Sequence, residues 1–395
     1  MKLTSTAVLL ALAASVHCSQ IVLDNVLGTN RPADADQQQQ YSGFSLNLDE
    51  QRLIQLNPSE PPVVLTEFQK IKLKSLGIKF LDITEAPDLG SINAKGRIQD
   101  VPFPSPSAKE QVNSVIDRLS TKGMIENLKT FTSFRTRYYR SETGRQSQQW
   151  LLSKINEITS EFASKALQDK ITVSEFSHSW SQNSIIVKIE GTDSEEVVIV
   201  GAHQDSAHTW PFLPAPGADD DGSGTMSILE AYRGLIEAGF SPKRTVEFHF
   251  YSAEEGGLLG SQAVAKDYES RGVDVLAMSQ FDMTAWVQRG TKESVGIIMD
   301  FTDSALTKFN KELVDAYLRI PYVETKCGYA CSDHASWSKA GYPSIFTIES
   351  AFELSNHHIH SGNDRIDISD EFSFEHMLEF SKLAVAFAIE LGGWN

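Results

Sequence analysis

Basic residues are scarce in this sequence, and the scarcity limits the partners that the protein can bind. The chain of 395 residues has 35 Lys and Arg against 52 Asp and Glu, which gives a net charge of −17. Nucleic-acid binding and docking on an anionic membrane both need a basic surface, so the charge argues against either partner. Hydrophobic residues are not scarce. At 41% of the chain they suffice for a large buried core, which excludes a disordered protein.

Long apolar runs are also lacking, apart from a short one near the N-terminus. Lys2 precedes an apolar run over residues 7–14, and small residues surround Cys18. These are the three parts of a secretory signal peptide, and the run is too short to span a bilayer. We therefore predict a signal peptide over residues 1–18 and a secreted, extracellular protein without a membrane segment.

Cysteine is rare, with only three residues in the chain. Cys18 would leave with the signal peptide, and Cys327 and Cys331 would remain as an even pair in an oxidising compartment. We predict a disulfide between them, which would close a tight loop around Tyr329. The alternative is two free thiols.

The region before the main pattern has a different composition. Residues 19–90 contain a glutamine run and a proline-rich patch, and prolines and glycines interrupt the chain again before the next predicted helix. In a secreted protein this organisation predicts a propeptide over 19–90, followed by one main domain over 91–395. The alternative is an ordinary N-terminal subdomain.

From about residue 107 onward, apolar runs of strand length alternate with helical patterns. The runs are rich in Val and Ile and lack polar alternation, which indicates buried strands with helices between them. We predict an α/β fold, a single α/β/α domain whose mostly parallel mixed sheet is covered by helices on both faces. The predicted strands cover residues 185–189, 197–200, 246–250, 276–281, 295–299 and 344–348.

Residues whose side chains can bind metal or transfer protons follow these strands. His203 and Asp205 come after the run 197–200, Glu254 and Glu255 after 246–250, and Asp282 directly after 276–281. An acidic triplet over 219–221 precedes a predicted helix, and a histidine-rich stretch over 357–360 follows the last strand. In such folds ligands bind beyond the carboxyl ends of the strands. Carboxylates that converge there repel one another unless a divalent metal compensates, and mixed His and carboxylate ligands favour zinc.

Each motif alone has a simpler explanation. His203 and Asp205 could form a surface pair, and a row of acids often interacts with the dipole at a helix N-terminus. The histidine-rich stretch could be a loop without a ligand. Together the motifs are harder to dismiss, because they all use side chains that can bind metal.

Six motifs, in this order, closely resemble those of the secreted di-zinc leucyl aminopeptidases, the fungal-type extracellular enzymes and their bacterial relatives. The resemblance covers the chain from about residue 100 to 395 and implies the fold of the zinc exopeptidases, two Zn²⁺ per chain and a precursor with signal peptide and propeptide. The motifs are GAHQDS, APGADDDGSG, SAEEGGLLGS, QFDMT, CGYACSDHASW and the IHS stretch near the C-terminus.

The resemblance also implies roles for particular residues. His203 and Asp282 would hold one zinc, Glu255 and His360 the other, and Asp220 would bridge both. The catalytic residues implied are Glu254 as general base, Asp205 as the carboxylate that orients His203, and Tyr329 as a hydrogen-bond donor to the oxyanion. The substrate pocket would contain Met283, Ile348, Phe352 and Ile359, for which ordinary core packing is the alternative.

The implied activity is release of N-terminal leucine and other hydrophobic residues from peptides with a free N-terminus, by a monomeric enzyme. One departure from the family is the stretch over residues 206–214, which is shorter and differently composed. Carboxypeptidase or glutaminyl cyclase chemistry on the same scaffold is one alternative. A catalytically dead binding module is another, although every matched ligand and Glu254 are present.

Overall fold

The computed structural model describes residues 42–92 and 103–395. The predicted signal peptide and residues 19–41 of the predicted propeptide lie outside the described residues. In the described part of the chain, no helix combines the length and the apolar character needed to cross a membrane.

Residues 42–92 form a small unit with its own sheet, which we call the N-terminal unit. Its three antiparallel strands have the order β2-β1-β3, and one helix, α1, follows β2. Thr66 and Gln69 form a capping box at the start of α1, because each side chain accepts a hydrogen bond from the other's backbone N–H. The elements are β1 (Gln51–Gln55), β2 (Val63–Thr66), α1 (Glu67–Ser75) and β3 (Leu81–Asp82).

The N-terminal unit is attached to the rest of the chain along its whole length. At its start, Phe44 pairs with Ser141 in a β-bridge. At its end, the backbone N–H groups of Gly90 and Ile92 both donate to the carboxylate of Glu269, at 2.9 Å each.

The main sheet has eight strands in the order β10-β9-β11-β8-β6-β7-β5-β4. The four central strands β11, β8, β6 and β7 are parallel, whereas β5 and β4 add antiparallel strands at one edge and β9 is antiparallel to β11. The strands are β4 (Ile171–Phe176), β5 (Ser184–Ile189), β6 (Ser194–His203), β7 (Arg244–Tyr251), β8 (Val275–Phe281), β9 (Val295–Ile298), β10 (Tyr322–Thr325) and β11 (Ser344–Ile348).

Helices cover both faces of this sheet, as the alternation along β6 illustrates. Val198 and Val200 belong to the large core that includes α6 and α10. Val197 and Ile199 belong to a second core with α7 and α9. The helices are α2 (Lys109–Ile116), α3 (Thr121–Phe131), α4 (Glu142–Phe162), α5 (Lys165–Gln168), α6 (Gly222–Glu237), α7 (Leu259–Arg271), α8 (Ser304–Tyr317), α9 (His334–Lys339) and α10 (Phe374–Gly392).

The predicted fold is confirmed, and the differences lie at the sheet edges. The six predicted strands are all present, but β4 and β10 are not predicted from their sequences. In β4 the residues are at most half-buried, so the strand lacks the continuous apolar run that marks a central strand. β10 has only four residues, and just one of them is buried.

Candidate active site

Three neighbouring strands deliver the candidate residues to one edge of the sheet. His203 is the last residue of β6 and lies opposite Tyr251, where β7 ends. Glu254 and Glu255 follow in a 3-10 turn after β7, and Asp282 comes directly after β8. The carboxyl ends of parallel strands meet at a common edge, so this placement follows from the topology.

Asp220 lies between the two histidines. Its Oδ1 is 3.1 Å from His203 Nε2, and its Oδ2 is 3.1 Å from His360 Nε2. Burial alone would raise the pKa of this carboxyl, but the two imidazoles hold it well below its usual range. The side chain therefore faces both halves of the site, as expected of a bridging carboxylate.

The remaining candidate ligands complete the two halves. On one side, Asp282 Oδ1 lies 3.6 Å from His203 Nε2. On the other, Glu255 Oε2 lies 2.9 Å from His360 Nε2. The side chains predicted as ligands are thus brought together around Asp220.

The first half is built to receive a cation. His203 Nε2 and Asp282 Oδ1 are buried and have no hydrogen-bond partner among the described residues. Unpaired buried polar atoms are costly, and a metal between them would satisfy both. Imidazole nitrogen and carboxylate oxygen together form a donor set that suits zinc. The residues therefore fit a metal, with zinc as the favoured ion.

Asp221 also lies within ligand distance of His203 and Asp282. Its oxygens are already engaged, however. Oδ2 accepts from the backbone N–H of His203 at 3.0 Å, and Oδ1 accepts from those of Gly224 and Met283. Asp221 caps α6 and ties β6 to the segment after β8. Asp220, whose oxygens face the two imidazoles, is the better candidate ligand.

Asp205 supports the site from behind. Its Oδ1 lies 3.4 Å from His203 Nδ1, and the carboxylate also accepts from the backbone N–H groups of Glu254 at 3.1 Å and Glu255 at 3.3 Å. One buried carboxylate thus orients a candidate ligand and the turn that carries the two glutamates. Carboxylates in this position fix the orientation of a ligating imidazole.

The Glu254 side chain also points toward the candidate ligands, but it lies farther from His203 than Asp220 does. Its Oε2 is 3.9 Å from His203 Nε2. Burial, with further contributions from Glu255, Asp333 and Asp282, raises the pKa of Glu254 well above its usual range, although His203 opposes the shift. A carboxyl group in this place, beside the candidate ligands but not among the closest of them, can act as a proton acceptor and donor.

Tyr329 lies across the cavity, inside the loop closed by the Cys327–Cys331 disulfide. The predicted disulfide is therefore present. Burial and the neighbouring acids, Glu254 and Asp220 foremost, raise the pKa of Tyr329. The phenol stays protonated and can donate a hydrogen bond.

An apolar pocket adjoins the candidate ligands in a cavity of about 380 Å³. All predicted pocket residues line this cavity: Met283, Ile348, Phe352 and Ile359. Phe346, which the sequence does not single out, lines it as well. The stretch over residues 206–214 borders the site from another side, where the backbone N–H of Thr209 donates to the carbonyl of His360 at 3.0 Å.

The N-terminal unit forms one wall of the same cavity. Lys74 at the end of α1 places Nζ 2.5 Å from Glu255 Oε2 and 3.2 Å from the Glu255 carbonyl. Lys79 Nζ lies 4.6 Å from the centre of the Tyr329 ring, and Phe80 lines the cavity too. Nothing in the sequence pattern indicated these contacts, because they join segments that are distant along the chain.

Two further supports are missed by sequence reasoning. Asp364 accepts from the backbone N–H groups of Asp219 at 3.0 Å and Asp220 at 3.1 Å. Ser332 Oγ donates to Asp282 Oδ2 at 2.7 Å. Ser332 lies inside one of the quoted motifs, and Asp364 follows His360 by four positions. Closeness along the sequence to a motif or a candidate ligand was therefore the only signal by which sequence reasoning could have found these two residues.

This site, on this fold, defines a metal-dependent hydrolase. The model of peptidase family M28 matches residues 184–385, and the chain belongs to that family. It is 50% identical over 355 residues to leucine aminopeptidase 1 of Colletotrichum graminicola, a match that covers 87% of this chain and 86% of that protein. It is 46% identical over 404 residues to leucine aminopeptidase 1 of Coccidioides posadasii, with 99% of both chains covered.

Solved structures agree with these matches. The LapA aminopeptidase of Legionella pneumophila superposes with a TM-score of 0.76 at 28% identity, covering 87% of this chain and 94% of that one. LapB from the same organism gives a TM-score of 0.75 at 27% identity, covering 87% and 95%. The resemblance inferred from the motifs is confirmed, and with it the assignment to the metallo-aminopeptidases.

Proposed function

We propose that this protein is an extracellular aminopeptidase that releases N-terminal leucine and other hydrophobic residues from peptides by means of two zinc ions. The observation that carries the proposal is the position of Asp220, with one oxygen toward His203 and the other toward His360, at the mouth of an apolar pocket. His203, Asp220 and Asp282 would hold one zinc. Asp220, Glu255 and His360 would hold the other.

The catalytic step needs a proton acceptor close to the metal positions. When bound, zinc at these positions would polarise the scissile carbonyl and lower the pKa of the attacking water. Glu254 would accept a proton from that water at Oε2 and later deliver it to the leaving amine. Asp205 would keep His203 and the glutamate turn in place throughout.

The substrate preference rests on the pocket. Met283, Phe352 and Ile359 present apolar surface beside the candidate ligands, and such a pocket favours leucine, phenylalanine or methionine at the first position of the peptide. The two fungal relatives are both leucine aminopeptidase 1, which supports the same preference. The free α-amine would lie near Glu255, so only the first residue is removed.

A substrate pair tests the aminopeptidase proposal. We expect purified protein to hydrolyse a leucine-initiated peptide or leucine p-nitroanilide, and to leave the N-acetylated peptide intact, because the blocked amine cannot approach Glu255. Release of leucine followed by chromatography is the measurement, and metal analysis of the same sample tests for two zinc ions. Equal cleavage of free and acetylated peptides would remove the proposal.

Glutaminyl cyclase chemistry is the second reaction considered for this scaffold. The glutaminyl cyclase of Porphyromonas gingivalis shares the fold, with a TM-score of 0.56 at 17% identity. A peptide that begins with glutamine tests this alternative, because cyclisation releases ammonia whereas an aminopeptidase releases glutamine. Ammonia without free glutamine would favour the cyclase.

Substitution of Tyr329 tests the oxyanion role. We expect Tyr329→Phe to lower kcat by roughly 10²-fold with little change in KM, since removal of one donor to an oxyanion costs about 10²–10³ in kcat. Tyr322→Phe, on β10, is the matched control because Tyr322 does not line the cavity. A Tyr329→Phe enzyme with normal kcat would show that the phenol donates nothing in the transition state.

We also propose that residues 1–18 are a signal peptide and that residues 19–90 are a propeptide, so that the active enzyme is a secreted monomer. The contacts of Lys74, Lys79 and Phe80 in the cavity support a covering role for the N-terminal unit. Its separate three-stranded sheet supports a segment that is removable from the catalytic domain.

A further inference from the structure

Arg137 is a fully buried cation outside all of the predicted motifs. It lies in the segment between α3 and α4, and its side chain is inaccessible to solvent. Burial of a charge is expensive unless the charge is paired or bonded, so a buried arginine calls for a physical explanation. The ring of Phe131 covers one face of the guanidinium, 4.1 Å from its carbon.

Among the described residues, the guanidinium donates to three carbonyl oxygens and forms no ion pair. Nε donates to the carbonyl of Gln204 at 2.9 Å, Nη2 to that of Gly217 at 2.8 Å, and Nη1 to that of Pro216. Hydrogen bonds from a charged donor are stronger than neutral ones. A single planar group thus clamps two chain segments together.

Both segments carry candidate metal ligands. Gln204 lies directly between His203 and Asp205 at the end of β6. Pro216 and Gly217 precede the acidic triplet that contains Asp220. His203 and Asp220, whose Nε2 and Oδ1 atoms are 3.1 Å apart, therefore belong to two backbone segments that Arg137 holds at a fixed spacing.

The backbone of Arg137 adds to this clamp. Its N–H donates to Ser206 Oγ at 3.0 Å, and Ser206 Oγ donates in turn to the carbonyl of Ala215 at 2.8 Å. Thr136 and Ala215 are paired in a β-bridge beside it. The segment of Arg137 is thus bonded to both ligand-bearing segments through main chain and side chain.

Close packing at Gly217 indicates that the clamp tolerates little change. Gly217 has φ +55°, and a Cβ there would lie 2.4 Å from Ser206 Cβ and 2.9 Å from Arg137 Nη2. Only glycine leaves room for the carbonyl of this residue to meet the guanidinium.

The charge of Arg137 has a second effect on the site. Four carboxylates in or behind the ligand cluster interact electrostatically with the guanidinium: Asp364, Asp205, Asp221 and Asp220. None of them is in contact with the guanidinium, so its positive charge is shared over the cluster rather than neutralised by one carboxylate. A charge in a buried setting acts over several ångströms.

We propose that Arg137 is a positioning residue that fixes the distance between the His203 and Asp220 segments and thereby couples the two metal positions. This inference rests on the proposed two-zinc function. Loss of the clamp would let the two segments move apart, and Asp220 would no longer lie within ligand distance of both metal positions.

Arg137→Lys tests the proposal, since lysine keeps the charge but cannot bond three carbonyls at once. We expect the full chain with this substitution to bind the first zinc normally and the second about 10–100-fold more weakly in calorimetric titration. Loaded with cobalt(II), it should also lose the spectroscopic signature of two coupled ions. With leucine p-nitroanilide, kcat should fall more than KM changes.

Arg140→Lys is the matched control. Arg140 lies in the same segment and is also buried, but it pairs with Glu50 of the N-terminal unit. It should leave metal binding unchanged. If Arg137→Lys does not fold, Ser206→Ala removes a weaker part of the same clamp and should shift the second zinc affinity in the same direction.

The outcomes separate this inference from the proposed function. A wild-type chain that binds fewer than two zinc ions would contradict the proposed function. If the wild-type chain binds two zinc ions, and Arg137→Lys (or Ser206→Ala, where Arg137→Lys does not fold) binds both as tightly with the same cobalt signature, the positioning role is overturned and Arg137 is a purely structural residue.

Discussion

Glu254→Gln should reduce kcat by about 10²–10⁴-fold while the protein keeps its metal, because the amide cannot accept the proton of the attacking water. The reason lies in the geometry. Glu254 Oε2 is 3.9 Å from His203 Nε2, whereas Asp220 Oδ1 lies at 3.1 Å from the same atom. Glu254 therefore faces the candidate ligands without being one of the closest donors. Kinetics with leucine p-nitroanilide and metal analysis of one sample are the measurements.

Glu353→Gln is the control for this experiment. Glu353 is an exposed carboxylate on the short 3-10 helix that also carries Phe352, a residue of the cavity wall. It should leave kcat unchanged, which would show that loss of any nearby charge is not enough. A Glu254→Gln enzyme with wild-type kcat would refute the role of Glu254 as general base, and one that loses metal would make it a ligand instead.

Removal of the N-terminal unit should raise kcat/KM by at least ~10-fold. If the unit covers the cleft in most molecules, only the fraction with an open cleft can bind substrate, and the apparent affinity for substrate falls in proportion to that fraction. Lys74 Nζ lies 2.5 Å from Glu255 Oε2, and Phe80 lines the cavity that would receive the substrate side chain. The ammonium group of Lys74 thus lies where both a cation and the substrate amine are expected. Purified full-length and trimmed proteins, assayed side by side, provide the comparison.

Two variants of the full chain refine this prediction. Lys74→Ala should increase the affinity for zinc, because the ammonium no longer competes for Glu255. Lys266→Ala removes the ion pair with Asp88, which joins the N-terminal unit to α7 away from the cavity, and should leave zinc affinity unchanged. Equal activity of the full-length and trimmed proteins would count against an inhibitory role for the unit.

The sequence was most informative where chemistry and topology coincide. His203, Glu254, Glu255 and Asp282 follow strand ends, and parallel strands bring such positions together irrespective of loop details. Asp220 and His360 follow no strand directly, and their places came from the family motifs. The family resemblance also supplied the roles that residue types alone leave open, such as the choice of Asp220 over its neighbours in the triplet.

The sequence was least informative about contacts between distant segments. Arg137 lies in a stretch with four arginines between residues 135 and 145, and nothing local distinguishes it from an exposed one. Lys74 looks like an ordinary charged residue of an amphipathic helix. The edge strands were missed for a related reason, since β4 is half-exposed and is defined by its pairing with β5.

If the N-terminal unit is removed as a propeptide, as proposed above, its anchoring at both ends bears on that removal. Glu269 binds the backbone at Gly90 and Ile92, and Phe44 pairs with Ser141, so a single cut beyond residue 92 leaves every one of these bonds intact. A nicked molecule would keep its cover as a bound fragment. If the unit is a propeptide, as proposed above, uncovering of the cleft would then require release or digestion of the bound fragment as well as the first cut.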